Sequence, residues 1–236
     1  MWMQRGITMS EHILERMFLA DGTEYGISSF IAGRTGSGKS YLMTQMVNEA
    51  VKLPSFKDAR IIYISVKNDS YWPKVEPTSS TEKLFKQLEK NRIAVFYPQN
   101  ADEYENDLDD IIERTFQVSA ENEESSFCII VDDCNVLDKF NSQSRPSKMV
   151  TKAAIAGRAF NLKLCLCVHR IGNLPRILNS SLNAGIVMAI SPMDNDYSRK
   201  ILALDLDPYY ESLSENQYSW AFVDLLKSDV SLYEPF

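Results

Sequence analysis

Residues 33–40 read Gly-Arg-Thr-Gly-Ser-Gly-Lys-Ser, and that spacing confines the stretch to a tight loop joining a strand to a helix. Glycines at 33, 36 and 38 let successive backbone N–H groups turn toward one point with no Cβ in the way. Apolar Ile27, Phe30, Ile31 and Ala32 lead into the loop, and Tyr41-Leu42-Met43-Thr44-Gln45-Met46-Val47 leaves it with helical character. A helix starting at Lys39 would aim its N-terminal dipole at the same point. Strand, glycine-rich turn and helix in this order predict a cradle for a nucleoside triphosphate, ATP in the simplest case. The backbone of Gly33, Arg34, Thr35, Gly36, Ser37 and Gly38 would wrap the phosphates, with Tyr41 beside them. Lys39 would reach the β- and γ-phosphates, and the Ser40 hydroxyl would ligate Mg2+.

The rest of the chain must supply a sheet for this loop. Its 236 residues suit one large α/β domain over residues 1–236, with a core over about 25–205, an N-terminal helix over 9–18 and a C-terminal edge hairpin over about 217–236. Strands are expected near 26–32, 60–66, 92–97, 127–132, 163–168 and 185–190. Several are continuous apolar runs, such as Arg60-Ile61-Ile62-Tyr63-Ile64-Ser65-Val66, which fit parallel strands covered on both faces. Helices are expected near 39–52, 80–90, 103–117, 147–160, 174–181 and 195–204, with Ser147 and Asp194 as N-caps. Ser219–Asp224 and Val230–Tyr233 read as an antiparallel hairpin on one edge, and residues 67–73 as a loop over the strand ends. The fold class that follows is α/β: a mainly parallel P-loop sheet flanked by helices, with an antiparallel C-terminal hairpin.

No apolar run approaches the ~20 residues that span a bilayer, and Met1-Trp2-Met3-Gln4-Arg5-Gly6 lacks the apolar region of a secretory signal. Cys128, Cys134, Cys165 and Cys167 show no zinc-like pairing and read as reduced core residues of an intracellular protein. His12, Trp72, Trp220, Tyr209 and Tyr210 read as packing or edge residues, His12 with no evident partner. Met43 and Met46 belong to a buried helix face.

A second signature follows at Phe127-Cys128-Ile129-Ile130-Val131-Asp132-Asp133. In a parallel sheet the carboxylate end of this strand shares an edge with the phosphate loop. Asp132 would then hold Mg2+ together with Ser40, and Asp133 would orient and activate the attacking water.

Charge is distributed unevenly. The chain is acidic overall, at −7, yet residues 139–193 contain no Asp or Glu while carrying Lys139, Arg145, Lys148, Lys152, Arg158, Lys163, Arg170 and Arg176. Such a stretch fits a polyanion partner, DNA tracked through its phosphates without reading sequence, and Lys139, Arg145 and Lys148 are the DNA-contact candidates. The acids gathered at Asp102–Glu113 read as the solvated face of an outer helix.

Residues 157–170, Gly-Arg-Ala-Phe-Asn-Leu-Lys-Leu-Cys-Leu-Cys-Val-His-Arg, are followed by Ile171-Gly172-Asn173-Leu174-Pro175-Arg176 and by Gly185-Ile186-Val187-Met188-Ala189-Ile190. Over about residues 25–205 the chain resembles the FtsK–HerA superfamily of DNA-pumping ATPases. The likeness is nearest to its viral branch, the genome-packaging ATPases of double-jelly-roll viruses and the poxvirus-type enzymes. That resemblance implies ATP hydrolysis coupled to translocation of double-stranded DNA by a homo-oligomeric ring, acting with a capsid vertex or capsid and membrane proteins in the host cytoplasm and virion. It implies an arginine finger at Arg158, offered to a neighbour's ATP, with Arg170 as the available substitute. It implies a polar sensor at His169, where the family more often carries glutamine, and it places Asp133 where many relatives have glutamate. The rival readings are a filamentous-phage-type assembly ATPase, a P-loop nucleotide kinase and a nucleotide-binding switch.

Overall fold

The computed structural model describes residues 9–20, 28–65, 73, 75–100, 104–122, 125–134, 148–174, 176–215 and 218–234. Eight strands form one sheet: β1 (Ser28–Gly33), β2 (Ala59–Ser65), β3 (Ile93–Phe96), β4 (Ser126–Asp132), β5 (Leu162–Val168), β6 (Leu182–Met188), β7 (Trp220–Asp224) and β8 (Asp229–Tyr233). Their spatial order is β3-β2-β4-β5-β1-β6-β7-β8. The first six are mutually parallel, and β7 and β8 add antiparallel on the β6 side.

Side-chain alternation divides the sheet between two apolar layers. Ile61, Tyr63, Cys128, Ile130, Cys165 and Cys167 face a layer completed by α1 (Glu11–Phe18) and α2 (Lys39–Ala50). Ile62, Ile64, Phe127, Ile129, Val131, Leu164 and Leu166 face the other. That layer is completed by α3 (Thr81–Lys90), α4 (Tyr104–Glu121), α5 (Lys148–Ala156) and α7 (Tyr210–Glu215). The acidic helix near 103–117 is α4, extended to Glu121; Glu105, Asp109 and Asp110 lie off its buried face, while Leu108, Ile111, Ile112 and Phe116 fill the core. The hairpin is β7–β8, where Trp220 stacks on Tyr233 with ring centroids 4.2 Å apart. All four cysteines are free and buried.

Three expectations change. The strand foreseen at 185–190 is β6, Leu182–Met188. It begins earlier because Asn183 is buried as a side-chain acceptor, and it ends earlier because Ala189 takes φ +44. The helix foreseen at 174–181 is a 3-10 turn, Arg176–Ser181, and another, Ile171–Asn173, precedes it. The helix foreseen at 195–204 starts at Pro192 as α6 (Pro192–Tyr197) and closes in a π turn over Ser198–Leu202. Its N-cap is Ser191, not Asp194: the Ser191 hydroxyl accepts from Asp194 N, and the Asp194 carboxylate accepts from Ser191 N at 2.9 Å, a reciprocal capping box. Ser147 and, Pro73 apart, the loop expected over 67–73 lie outside the described residues.

Candidate nucleotide-binding site

The parallel order delivers the chemistry to one edge. The glycine-rich loop leaves the C-terminal end of β1, Asp132 and Asp133 stand at the same end of β4, and His169 follows β5. Because β5 runs between β1 and β4, His169 stands between the loop and the two carboxylates, whose strands are about 10 Å apart at ordinary strand spacing.

The loop has the backbone the sequence demanded. Gly33 allows close approach to β6, since a Cβ there would lie 2.4 Å from the Met188 carbonyl oxygen. Gly38, the residue before α2, has φ +91, a left-handed conformation that glycine adopts without a Cβ penalty. Lys39 is buried, and its Nζ donates to the carbonyl oxygens of Gly33 at 2.6 Å and Arg34 at 3.1 Å. Ser37 N donates to Arg34 O at 3.1 Å, closing the turn. The guanidinium Nε of Arg34 donates to Ala189 O at 3.2 Å and ties the loop to the segment after β6. Thr35 and Gly36 are exposed, Ser40 is half-buried and Tyr41 is exposed at the first turn of α2.

Asp132 is buried and accepts a hydrogen bond at 2.9 Å on Oδ2 from the hydroxyl of Tyr63, itself fully buried in β2. Tyr63 was not anticipated as a site residue. Its only signal in the sequence was one phenol inside the aliphatic run Ile61–Ile64. Asp133 has φ +57, a conformation few non-glycine residues adopt. Its Oδ1 lies 3.2 Å from His169 Nε2, so two residues expected separately at the site touch one another. The carboxylate is nearly enclosed and the imidazole one-third exposed.

Two buried hydroxyls at this edge have no hydrogen-bond partner: Ser37 Oγ in the loop and Tyr104 OH at the start of α4. An orphaned hydroxyl inside a glycine cradle, with open space around Gly36 and an ammonium resting on exchangeable backbone carbonyls, fits a phosphate chain. Ser40 and Asp132 are hard oxygen donors of the kind that hold Mg2+ together with substrate phosphates.

The arginines separate. Arg158 lies in a 3-10 turn, Gly157–Phe160, that precedes β5, so it occupies the opposite edge of the sheet, roughly 20 Å of strand away from its own phosphate loop. Arg170 follows β5 on the loop edge, with Nη1 3.7 Å from Met193 Sδ. Lys148 is exposed at the start of α5, whereas Lys139 and Arg145 lie outside the described residues. One member of the acid-free stretch is no surface cation at all. Lys163 is fully buried, with Nζ donating to Arg16 O at 2.5 Å and Asn183 Oδ1 at 3.0 Å. Another, Lys152, rests over the Phe116 ring at 4.7 Å. His12 has a partner after all: Nε2 lies 3.8 Å from Asp224 Oδ2.

No family model and no curated protein matches the sequence. Solved structures do match in fold. The genome packaging NTPase B204 from Sulfolobus turreted icosahedral virus 2 in complex with AMPPCP superposes with a TM-score of 0.69 at 16% identity, over 90% of this chain and 98% of that one. Its complex with ATP-gammaS gives 0.67 at 19% identity over 89% and 98%. The cytoplasmic domain of the Thermomonospora curvata Type VII secretion ATPase EccC gives 0.61 at 17% identity, over 89% of this chain and 25% of that one. At these identities the likeness is one of architecture: the chain has the fold of P-loop NTPases, a mainly parallel sheet between helical layers with an antiparallel C-terminal edge.

Proposed function

We propose that this chain is an ATP-hydrolysing motor that moves double-stranded DNA, working as a homo-oligomeric ring that packages a viral genome into a preformed capsid. The observation that carries the hydrolase reading is the line of Lys39, His169 and Asp133 along one strand edge, with His169 in contact with Asp133. The DNA and capsid reading draws on the sequence resemblance and on the shared fold of a protein described as a genome packaging NTPase.

In this reading Lys39 exchanges the carbonyls of Gly33 and Arg34 for β- and γ-phosphate oxygens, and the loop amides with Ser37 Oγ hold the rest of the phosphate chain. Ser40 and Asp132 hold Mg2+, with Tyr63 fixing the Asp132 carboxylate. The ion, when bound, neutralises charge on the transferring phosphate. Asp133 orients the attacking water and accepts its proton; His169 holds Asp133 until nucleotide binds and then hydrogen-bonds toward the phosphate. Arg158, at the far edge of its own sheet, acts on a neighbour's ATP. Lys139, Arg145 and Lys148 face the DNA.

The test is ATP turnover of the full chain with and without long duplex DNA at two ionic strengths, alongside the mass of the assembly. Stimulation with little sequence preference that falls steeply as salt rises is the expected result, because phosphate contacts release counterions. Turnover by an assembled ring that ignores DNA would overturn the DNA reading while leaving the hydrolase.

A further inference from the structure

Tyr104 is the first residue of α4 and is 1% exposed. Its hydroxyl is buried without a hydrogen-bond partner, which a native structure rarely keeps without a use for the group. The phenol packs in the same apolar layer as Val131 and Cys134, the residues on either side of Asp132 and Asp133. Burial, and then the neighbouring Cys134, Asp132 and Asp133, push this phenol well above its ordinary value, so it stays a donor. The two acidic positions thus differ. Asp132 turns toward the α2 layer and is held there by the hydroxyl of Tyr63. At Asp133, Oδ1 lies 3.2 Å from His169 Nε2, and the Tyr104 hydroxyl is an unused donor in the α4 layer.

We propose that Tyr104 is a positioning residue for Asp133: its hydroxyl donates to the Asp133 carboxylate when that group leaves His169 to align the attacking water. The inference rests on the hydrolase reading of the site. Asp133 then has two stations, a resting one on His169 and a working one braced by Tyr104. The brace compensates for an arm one methylene shorter than glutamate, which by itself would hold the water less firmly.

Tyr104→Phe removes the hydroxyl and nothing else. With ATP, kcat should fall about tenfold to a hundredfold, the range set by losing one hydrogen bond to a charged group. KM, and the affinity for a fluorescent non-hydrolysable ATP analogue, should not change. The melting temperature of the free variant should stay level or rise, since no bond made in the free protein is lost. Adding the analogue to the wild type should red-shift tyrosine absorbance, and that difference band should be missing in Tyr104→Phe. Wild-type kcat in the variant, or an identical difference band, would overturn the proposal. So would losses of analogue affinity and melting temperature in step with kcat, which would mark Tyr104 as a packing residue. Asp133→Asn in the same assay separates the two readings. An active wild type, an inactive Asp133→Asn and a fully active Tyr104→Phe would sink this inference alone, whereas a wild type without turnover would sink both.

Discussion

Lys39 and Lys163 are both buried lysines whose Nζ donates to a backbone carbonyl, and they sit at opposite edges of one sheet. Removing an ammonium from water is expensive, so each needs acceptors held in place. Around Lys39 those acceptors belong to a turn with exposed Thr35 and Gly36, and a Cβ at Gly36 would meet nothing within 4 Å. A ligand can enter and take the lysine over. Around Lys163 the acceptors are Arg16 O, from the last turn of α1, and Asn183 Oδ1 inside β6. Ser29 Oγ donates to Met17 O at 2.6 Å beside them, so the helix is pinned to the sheet by side chains from two strands. The lesson is that a buried charge is not by itself a mark of function. Whether its partners can be exchanged decides between a binding site and a clamp.

That contrast can be broken by three changes. Arg158, on the same edge as Lys163 but exposed, should give the largest effect. Arg158→Ala should lower turnover by about 10³–10⁵, the scale of an arginine finger, with the variant folded and still binding ATP. Mixing it with a Lys39→Ala chain that keeps Arg158 should restore part of the rate; an assembled mixture with no restoration would move the finger to Arg170. Asp133→Asn comes next, with a loss of about 10²–10⁴ in kcat, as expected for a positioned general base, and with unchanged analogue binding. Turnover at the wild-type rate would remove Asp133 from the chemistry. Lys163→Ala should do the reverse: a loss of about 2–4 kcal/mol in stability from the vacated volume and two stranded acceptors, read by denaturant unfolding. Turnover per folded chain should survive. If it fell with stability intact, the far edge would be more than a clamp.

The local parts of the site could be read from the sequence because each lies within a few residues. The loop needs only the spacing of Gly33, Gly38, Lys39 and Ser40, and the carboxylate pair needs only an apolar strand ahead of Asp132. His169 was placed at the right strand end, yet its contact with Asp133 depends on β5 entering between β4 and β1, which no local pattern encodes. Tyr63 and Tyr104 escaped notice for a related reason. In sequence each is one aromatic among core residues; only the pairing of β2 with β4 brings the Tyr63 hydroxyl to Asp132, and only the packing of α4 buries that of Tyr104. The same long-range dependence hid Asn183. It lies inside β6 as an acceptor for Lys163. The acid-free stretch likewise contains the buried Lys163, since charge runs say nothing of which side chains turn inward.

The central place of β1 has a consequence in time. Its two neighbours are β5 and β6, so the strand that carries the phosphate loop pairs only with residues 162–168 and 182–188. A chain growing on the ribosome makes the loop early and must then wait about 8–30 s, at ordinary synthesis rates, before both flanks exist. Until then both edges of β1 are open to any other unpaired strand, including that of the next nascent copy. Yield of the intact protein should therefore depend on what shelters residues 28–33 during that interval, and a message translated more slowly between β1 and β6 should give more aggregate from the same sequence.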